Sequence, residues 1–297
     1  VRDARWGRVI ESFGEDPYLG EMVARANIRG TQGNLDKYHV AGCLKHFVGY
    51  GACEAGRDYN TVDMSEYTLR NFYLSPFKAG IDAGAELLMP AFNIMFGQPM
   101  VANKKLMVDI LREEWGFDGV TVSDYNACTE TITHGYCTDE KEAALRSFEA
   151  ELDIEMATTT YIKHLKGLID EGRISMAQLD KSVMRQLKLK NKLGLFENPM
   201  YSYSEKEQEK IFLCNENRAL ALLSAEESAV LLKNDGILPL SVNDSIAVIG
   251  PHANDGDLIG GWRTECEDKD TITLLSGLSN ACTGRVEYAK GCDWGLD

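Results

Sequence analysis

A carboxylate at the end of a predicted strand is the strongest sign of chemistry in this sequence. Residues 120–122 read Val-Thr-Val, a β-branched run that suits a buried parallel strand, and Ser123 and Asp124 follow it directly. Because α/β folds place their chemistry at the carboxyl ends of parallel strands, Asp124 is the first catalytic candidate. From position alone, the alternative is an Asp that caps the following helix or turn.

Basic residues gather in three other loops. The segment 2–8 carries three arginines beside a Trp, Lys45 and His46 follow a predicted strand, and Arg57 lies in a glycine-bearing loop. Cationic donors at strand ends can bind oxygen-rich ligands through charge-assisted hydrogen bonds. A solvated basic turn is the alternative for the first of these segments.

Composition and charge exclude several classes of partner. The chain has 297 residues, a net charge of −15 and a pI of about 4.8. This balance argues against nucleic acid and anionic membrane surfaces and permits a neutral substrate such as a sugar. The sequence contains no apolar run of about 18 residues and no signal-peptide pattern, so we expect no membrane span.

The cysteines and histidines give no metal-ligand spacing. Eight cysteines and five histidines are scattered without a C-x-x-C pair or an H-x-x-x-H pattern, and we therefore expect no zinc site and no cofactor. Free thiols in a reducing compartment such as the cytoplasm are favoured over disulfides.

Strand and helix patterns alternate through the first two thirds of the chain. This alternation predicts an α/β fold in which parallel strands are joined by right-handed crossovers. Four strands would make half of an eight-stranded barrel. The predicted strands lie near residues 40, 87, 121 and 154, and the predicted helices span residues 17–29, 65–83, 104–115, 139–149, 161–171 and 176–193.

The pattern changes after residue 200. Residues 201–240 are predicted to form a polar linker and a connecting helix at 210–232, and residues 241–297 to begin an α/β sandwich domain. Strands are expected at 245–251 and 285–289, with a helix at 272–280. Residues 1–200 would then be the carboxyl-terminal part of a (β/α)8 TIM-type barrel, and both chain ends look like cuts through a larger protein.

Five motifs, in order, resemble glycoside hydrolase family 3, whose β-glucosidase-like members combine a (β/α)8 barrel with an α/β sandwich domain. Each motif alone is weak, but together they span nearly the whole chain. They are Asp3-Ala4-Arg5-Trp6-Gly7-Arg8 with Glu15-Asp16-Pro17, Lys45-His46-Phe47, Met89-Pro90-Ala91-Phe92-Asn93, Gly116-Phe117-Asp118-Gly119 through Val122-Ser123-Asp124, and Ser228 to Asn234 with Leu238-Pro239-Leu240.

The resemblance implies that Asp124 is the nucleophile of a retaining glycosidase. It would hold the sugar as a covalent ester while a second carboxyl group, about 5 to 5.5 Å away, acts as acid and then as base. In the family that Glu comes from the second domain. Nothing in residues 241–297 matches it, so we expect it beyond the end of this chain.

The same resemblance implies that Arg8, Lys45, His46 and Arg57 bind hydroxyl groups of the first sugar. Lys45 would also favour the carboxylate form of Asp124. For each of these basic residues the alternative is a salt bridge within the barrel.

Two aromatic residues complete the expected site. Tyr125 occupies the position where the family often has an aromatic that packs on the leaving group, with core packing as the alternative. Phe92 stands where some members carry a Tyr, and it lacks the hydroxyl that would lie near the nucleophile.

The motifs favour an exo-acting β-glucosidase that removes terminal non-reducing β-D-glucosyl residues. The loop 57–60 reads Arg-Asp-Tyr-Asn and lacks the His of the single-domain branch that acts on N-acetylglucosaminides. A β-xylosidase or an exo-β-glucanase remains the alternative within the family, and a sugar-binding protein that has lost catalysis is the alternative outside it. The oligomeric state is not indicated. The isolated polypeptide is expected to be poorly soluble and nearly inactive, since four strands leave open sheet edges.

Overall fold

The computed structural model describes residues 1–200, 204–258 and 270–293. The chain divides into two compact units, Val1–Ser202 and Tyr203–Asp297.

The first unit alternates strands and helices around a four-stranded parallel sheet. Its strands lie in the order β1 (Cys43–Phe47), β3 (Leu87–Pro90), β6 (Val120–Tyr125) and β7 (Ile154–Met156). Every neighbouring pair is parallel, so the predicted α/β fold with parallel strands is confirmed. The elements are α1 (Pro17–Gln32), β1 (Cys43–Phe47), β2 (Thr61–Val62), α2 (Glu66–Thr68), a π-helix (Leu69–Leu74), α3 (Ser75–Asp82), β3 (Leu87–Pro90), β4 (Ile94–Met95), β5 (Gln98–Pro99), a second π-helix (Lys105–Glu114), β6 (Val120–Tyr125), α4 (Ala127–Thr133), α5 (Glu140–Glu149), β7 (Ile154–Met156), α6 (Thr160–Asp170) and α7 (Met176–Lys192).

An apolar core joins the sheet to the surrounding helices. Leu69, Leu106 and Leu111 from the two π-helices are fully buried, as is Leu88 of β3. Fully burying a side chain of this size contributes roughly 1.5 to 3 kcal/mol. These contacts fix the strands whose ends carry the candidate site.

The start of α1 follows the sequence prediction, and its end does not. Asp16 accepts a hydrogen bond from the amide of Tyr18, and Pro17 is the first helical residue. The helix continues to Gln32 because that buried side chain links it to the sheet. The Gln32 amide oxygen accepts from the amides of Gly42 (2.9 Å) and Glu86 (3.0 Å).

The strand predicted near residue 40 is shifted along the chain. β1 runs over Cys43–Phe47, so Lys45 and His46 belong to the strand instead of following it. Residues 39 and 40 are held in a turn, where the amide of His39 bonds the carbonyl of Asp36 and the amide of Val40 bonds that of Thr31.

A small second sheet was not predicted. Its order is β2-β4-β5, with β4 and β5 forming a two-residue-strand hairpin. The strands are too short to give a period-two pattern. This sheet lies in the loops that follow β1 and β3.

Helix α7 carries a row of basic side chains at helical spacing. Each pairs with an acidic residue near the amino end of β3, β6 or β7, and Lys192 reaches Glu86 across 106 positions of sequence. The pairs are Lys181 with Glu151, Arg185 with Glu151 and Asp153, Lys188 with Asp118, and Lys192 with Glu86.

A buried charge cluster lies at the amino ends of β6 and β7. Oδ2 of Asp153 accepts hydrogen bonds from Nη2 of Arg112 (2.9 Å) and the amide of Thr121 (2.9 Å), and Oδ1 accepts one from Nη1 of Arg185 (3.1 Å). Burial lowers the pKa of Arg112 to about 10, so its guanidinium stays charged near neutral pH.

The second unit contains two helices followed by a βαβ arrangement. Its elements are α8 (Glu205–Ile211), α9 (Asn215–Ser228), β8 (Ile246–Ile249), α10 (Leu274–Ala281) and β9 (Val286–Ala289), and β8 pairs with β9 in parallel. The single helix predicted at 210–232 is wrong. The chain breaks at Leu213, whose φ is 53°, and α9 ends at Ser228. Residues 201–203 of the predicted linker lie outside the described residues.

In the described parts of the chain, no helix is long and apolar enough to cross a membrane. The seven cysteines found there are free thiols, while Cys266 lies outside them.

Candidate active site

The sheet order brings three of the expected residues together. His46 lies on β1 and Asp124 near the end of β6, and Nε2 of His46 is 3.3 Å from Oδ2 of Asp124. Nη2 of Arg8, from the amino-terminal loop, lies 3.3 Å from the same histidine nitrogen. A cationic loop and two strand ends therefore meet at one carboxylate.

Asp124 is a half-buried carboxylate with one unpaired oxygen. Its Oδ1 accepts a hydrogen bond from the amide of Tyr125 (2.7 Å), whereas its buried Oδ2 accepts none from the described residues. Burial raises the pKa of Asp124, and the hydrogen bond from Tyr125 and the charges of Arg8 and Lys45 oppose that rise. Asp124 does not cap the following helix, since α4 begins after Asn126 and has no side-chain cap; among the described residues, its only hydrogen bond of that kind is the local one from the amide of Tyr125.

His46 is neutral at neutral pH. Burial, followed by the charges of Arg8 and Lys45, lowers the pKa of His46 to about 4. Arginine can only donate hydrogen bonds, so Nε2 of His46 must present its lone pair to Arg8 and carry no proton. This nitrogen consequently has no proton to give to Asp124, and Oδ2 of Asp124 stays without a hydrogen bond from His46.

Arg8 is held in place by an ion pair. Its Nε and Nη2 donate to the two oxygens of Glu11 at 2.6 and 2.8 Å, and its guanidinium lies 5.4 Å from the ring centre of Tyr50. The hydrogen bonds from Arg8, and then its charge, lower the pKa of Glu11. Arg8 therefore forms a salt bridge, as the alternative predicted. The same ion pair with Glu11 fixes the Arg8 side chain beside His46.

Lys45 and Arg57 are less closely engaged. The side chain of Lys45 is exposed, yet its charge reaches Asp124. The exposed guanidinium of Arg57 makes no hydrogen bond or ion pair with any described residue. The structure brings Lys45 to the site and does not bring Arg57 into contact with it.

Aromatic rings line the loop ends beside the carboxylate. Phe92 is buried and stacks on Tyr59, with ring centres 4.2 Å apart and an angle of 24° between the planes. Tyr125 is 62% exposed, so core packing of this residue is wrong. A sugar could contact Tyr125 directly, because its ring is open to solvent.

Sequence reasoning missed several residues of this site. Glu11 was identifiable from its spacing three residues after Arg8. Nothing in the sequence indicated that Nε1 of Trp6 would donate to Asp58 (2.9 Å) and so join the first loop to the loop after β1. Burial and the charge of Asp124 raise the pKa of Glu130, which places that carboxyl group within electrostatic reach of the site.

A cavity of about 520 Å³ touches the site without containing its carboxylate. Lys45, His46 and Glu11 line one part of it, but Asp124 does not, and much of the lining comes from α1 and residues 72–77. The cavity therefore lies between β1, α1 and residues 72–77, and it is not a cleft over the Asp124 carboxylate. Among residues 1–200, 204–258 and 270–293, no group of three or more His, Cys, Asp or Glu is arranged to hold a metal ion.

The first unit is an α/β fold whose four-stranded parallel sheet carries a carboxylate at a strand end, and comparison with known proteins identifies the family. The profile of the glycosyl hydrolase family 3 N terminal domain matches residues 1–189, and that of its C-terminal domain matches residues 229–292. The chain therefore belongs to glycosyl hydrolase family 3.

Relatives within this family include β-glucosidases and a β-xylosidase. The chain is 41% identical to a periplasmic β-glucosidase from Salmonella typhimurium and 37% identical to a β-xylosidase from Formosa agariphila, over 98% of its own length in each case. It spans 39% and 43% of the lengths of these two proteins.

Solved structures give the same assignment. A β-glucosidase from Listeria innocua in complex with glucose matches all of this chain with a TM-score of 0.93 and 45% identity. A mutant of that enzyme in complex with laminaribiose matches with a TM-score of 0.94 and 46% identity. The chain covers 42% of each of these structures.

Proposed function

We propose that Asp124 is the nucleophile of a retaining, exo-acting β-glucosidase. The observation that carries this proposal is the unpaired Oδ2 of Asp124, which lies at the end of β6 beside a neutral His46 and a fixed Arg8 and accepts no hydrogen bond from the described residues. A nucleophile needs a carboxylate oxygen that faces the substrate and is not consumed by internal hydrogen bonds.

In the proposed reaction, Oδ2 of Asp124 attacks the anomeric carbon and the glycosidic C–O bond breaks. A carboxylic acid donates its proton to the departing oxygen, leaving an ester between Asp124 and the sugar. The resulting carboxylate then takes a proton from water, whose oxygen displaces Asp124 and regenerates both groups. The sugar keeps its β configuration because two inversions occur.

The acid is proposed to come from outside the described residues. Glu155, at the carboxyl end of β7, is a carboxylate on the strand next to Asp124, but both of its oxygens hold the start of α6. One accepts from the amide (3.0 Å) and hydroxyl (2.7 Å) of Thr160, and the other from the amide of Tyr161 (2.8 Å). Glu11 is likewise engaged by Arg8.

The basic residues are proposed to bind the sugar ring. Arg8 and Lys45 would donate to hydroxyl groups, and these bonds strengthen as charge develops on the ring. Nε2 of His46 would accept from a hydroxyl, and that hydroxyl would replace Arg8 as the donor to His46. Arg57 would reach the sugar only after its exposed side chain reorients. Phe92 and Tyr125 would pack on the sugar and on the leaving group.

Glucose is the favoured sugar. The Salmonella relative is a β-glucosidase, and the Listeria enzyme is described in complex with glucose and with laminaribiose. The Formosa relative at 37% identity keeps a xylosidase as the second candidate. A catalytically inactive sugar-binding protein is disfavoured by the intact Asp124, Lys45 and His46.

Covalent trapping tests the proposal. The longest natural polypeptide that includes this chain is treated with a 2-fluoro-β-glucoside bearing a dinitrophenyl leaving group, digested and analysed by mass spectrometry. The fluorine slows both steps, and the good leaving group needs little acid help, so the ester accumulates.

We expect the peptide that contains Asp124 to gain the mass of the fluorosugar, and D124N to gain none. Label on another carboxylate would overturn the assignment of the nucleophile. Labelling by the matching xyloside alone would replace glucose with xylose, and no hydrolysis of any glycoside would favour the sugar-binding protein.

A further inference from the structure

The pairing of β6 with β7 shifts register at the candidate nucleophile. Val122 lies opposite Ile154 and Tyr125 lies opposite Met156, so three steps along β6 match two steps along β7. Ser123 and Asp124 occupy the resulting bulge. Bulges are uncommon in parallel pairs, and they redirect side chains near active sites.

The hydroxyl of Ser123 fills this bulge. Its side chain is completely buried, and its Oγ accepts a hydrogen bond from the amide of Met156 (2.8 Å) and donates one to the carbonyl oxygen of Asp124 (2.9 Å). The amide of Asn126 then donates to the carbonyl of Met156 (3.1 Å). Both backbone polar groups of Met156 are thereby tied to the segment that carries Asp124.

We propose that Ser123 is a positioning residue for Asp124. Its hydroxyl replaces the direct backbone bond that the bulge removes, and it fixes the peptide on which the Asp124 carboxylate is presented. This inference rests on the proposed role of Asp124 as nucleophile. A displacement of about 1 Å at a reacting atom can reduce a rate by about 10²-fold, so a fixed peptide matters for the bond-forming step.

Thr121 provides a matched control on the same strand. It is also completely buried, and its hydroxyl accepts from the amide of Asp153 (3.1 Å) and donates to the carbonyl of Glu151 (2.8 Å). Both hydroxyls therefore link β6 to the β7 segment, but only that of Ser123 contacts the backbone of Asp124. S123A and T121V each remove one hydroxyl with almost no change in volume.

The test compares these variants in the longest polypeptide that includes the chain. Three quantities are measured: the rate of labelling by the 2-fluoro-glucoside, the inhibition constant of glucose, and the unfolding temperature. S123A is expected to slow labelling by about 10- to 100-fold while the glucose constant changes less than about twofold, because the sugar-binding groups are untouched. T121V is expected to label within about twofold of wild type while unfolding at a lower temperature.

S123C supplies a graded second variant if S123A does not fold. A thiol is a weak donor and a weak acceptor, so its labelling rate should fall between those of Ala and Ser. Wild-type labelling rates in S123A or S123C would overturn the proposal, as would equal slowing in T121V at equal stability. Failure of the proposed function is distinguishable, because wild-type protein would then carry its label away from Asp124.

Discussion

Asp124 and Asp153 are carboxylates at opposite ends of the same strand pair, and their surroundings are opposite too. The side chain of Asp153 is fully buried and accepts hydrogen bonds from Arg112, Arg185 and Thr121. That of Asp124 is 15% exposed, with one hydrogen bond to Oδ1 and none to Oδ2 from the described residues. Asp153 is satisfied by partners within the fold, whereas Asp124 keeps an unpaired oxygen that the proposed reaction would use.

The difference shows how one sheet can carry both tasks. A buried charge is tolerated when partners satisfy it, and removing one partner is strongly destabilising. When burial raises the pKa of a carboxyl group, the ionised form of that group is destabilised in the folded chain. Only a bound ligand or a chemical step can make use of such a charge. Asp153, at the amino end of β7, is a charge of the first kind, and Asp124, near the carboxyl end of β6, is one of the second.

The largest expected effect separates chemistry from stability at Asp124. D124N should lower kcat by about 10⁴-fold or more, because an amide cannot form the glycosyl ester. Its unfolding temperature should be unchanged or slightly higher, since the neutral amide no longer has to be buried as a charge. Steady-state kinetics and calorimetry on the same preparation measure kcat and the unfolding temperature. A marked loss of stability in D124N would contradict the difference proposed between Asp124 and Asp153.

The reciprocal substitution at Asp153 should give the opposite result. D153N leaves Arg112 and Arg185 without full charge compensation and should cost about 3 to 5 kcal/mol of unfolding free energy. At temperatures where it stays folded, labelling of Asp124 should remain within a few-fold of wild type. K166A, which breaks the exposed pair with Asp170, is the control and should cost less than about 0.5 kcal/mol. Similar losses in D153N and K166A would show that the buried cluster is not structural.

A third contrast concerns the titration of His46. The pKa of His46 in the folded chain is about 4, against an ordinary value of 6.5, so the unfolded chain binds the extra proton between these two pH values. Stability associated with His46 is therefore complete above about pH 6.5 and is lost as the pH falls toward 4, with a cost on the order of 3 kcal/mol.

Histidine carbon chemical shifts followed by NMR measure this pKa directly. H46Q identifies the signal of His46, which should stay in its neutral position as the pH falls through 6.5 and reach its midpoint only near pH 4. A midpoint near 6.5 would mean that the histidine is solvated and that Arg8 does not hold it. In H46Q the loss of stability between pH 6.5 and 4 should also be smaller.

The smallest expected effect is at the exposed ring of Tyr125. Because 62% of this residue is open to solvent, Y125A should leave the unfolding temperature within about 1 °C of wild type. If the ring packs on leaving groups, kcat/KM should fall by about 10-fold for aryl glucosides, whereas Y125F should retain it. An equal loss for substrates with very small leaving groups would contradict that role.

The parallel sheet and the central carboxylate were predictable because they leave strong local signals. The β-branched run before Asp124 and the glycine and proline punctuation around the helices identify element types with little ambiguity. The helix pair α8 and α9 was not predictable in the same way. Their apolar residues continue across the break at residues 212–214, and the positive φ of Leu213 leaves no signature in its residue type.

The contacts within the site were even less accessible to sequence reasoning. Three features depend on where separate strands end relative to one another: the unpaired oxygen of Asp124, the tautomer of His46 and the stacking of Tyr59 on Phe92. The bulge at Ser123 depends on the register between β6 and β7, and the sequence of either strand alone does not determine that register. Arg57 is a further example. A basic residue suited the site, but the position of Arg57 in the structure does not bring its side chain into contact with the site.

The basic row on α7 also has a consequence for synthesis on the ribosome. Glu86, Asp118 and Asp153 emerge before any of their partners on α7, and Lys192 follows Glu86 by 106 residues. At about 5 to 20 residues per second, Glu86 leaves the ribosome roughly 5 to 20 s before Lys192 does. During that interval the nascent strands lack the helix that joins their amino ends, and this is when a chaperone would have the most to protect.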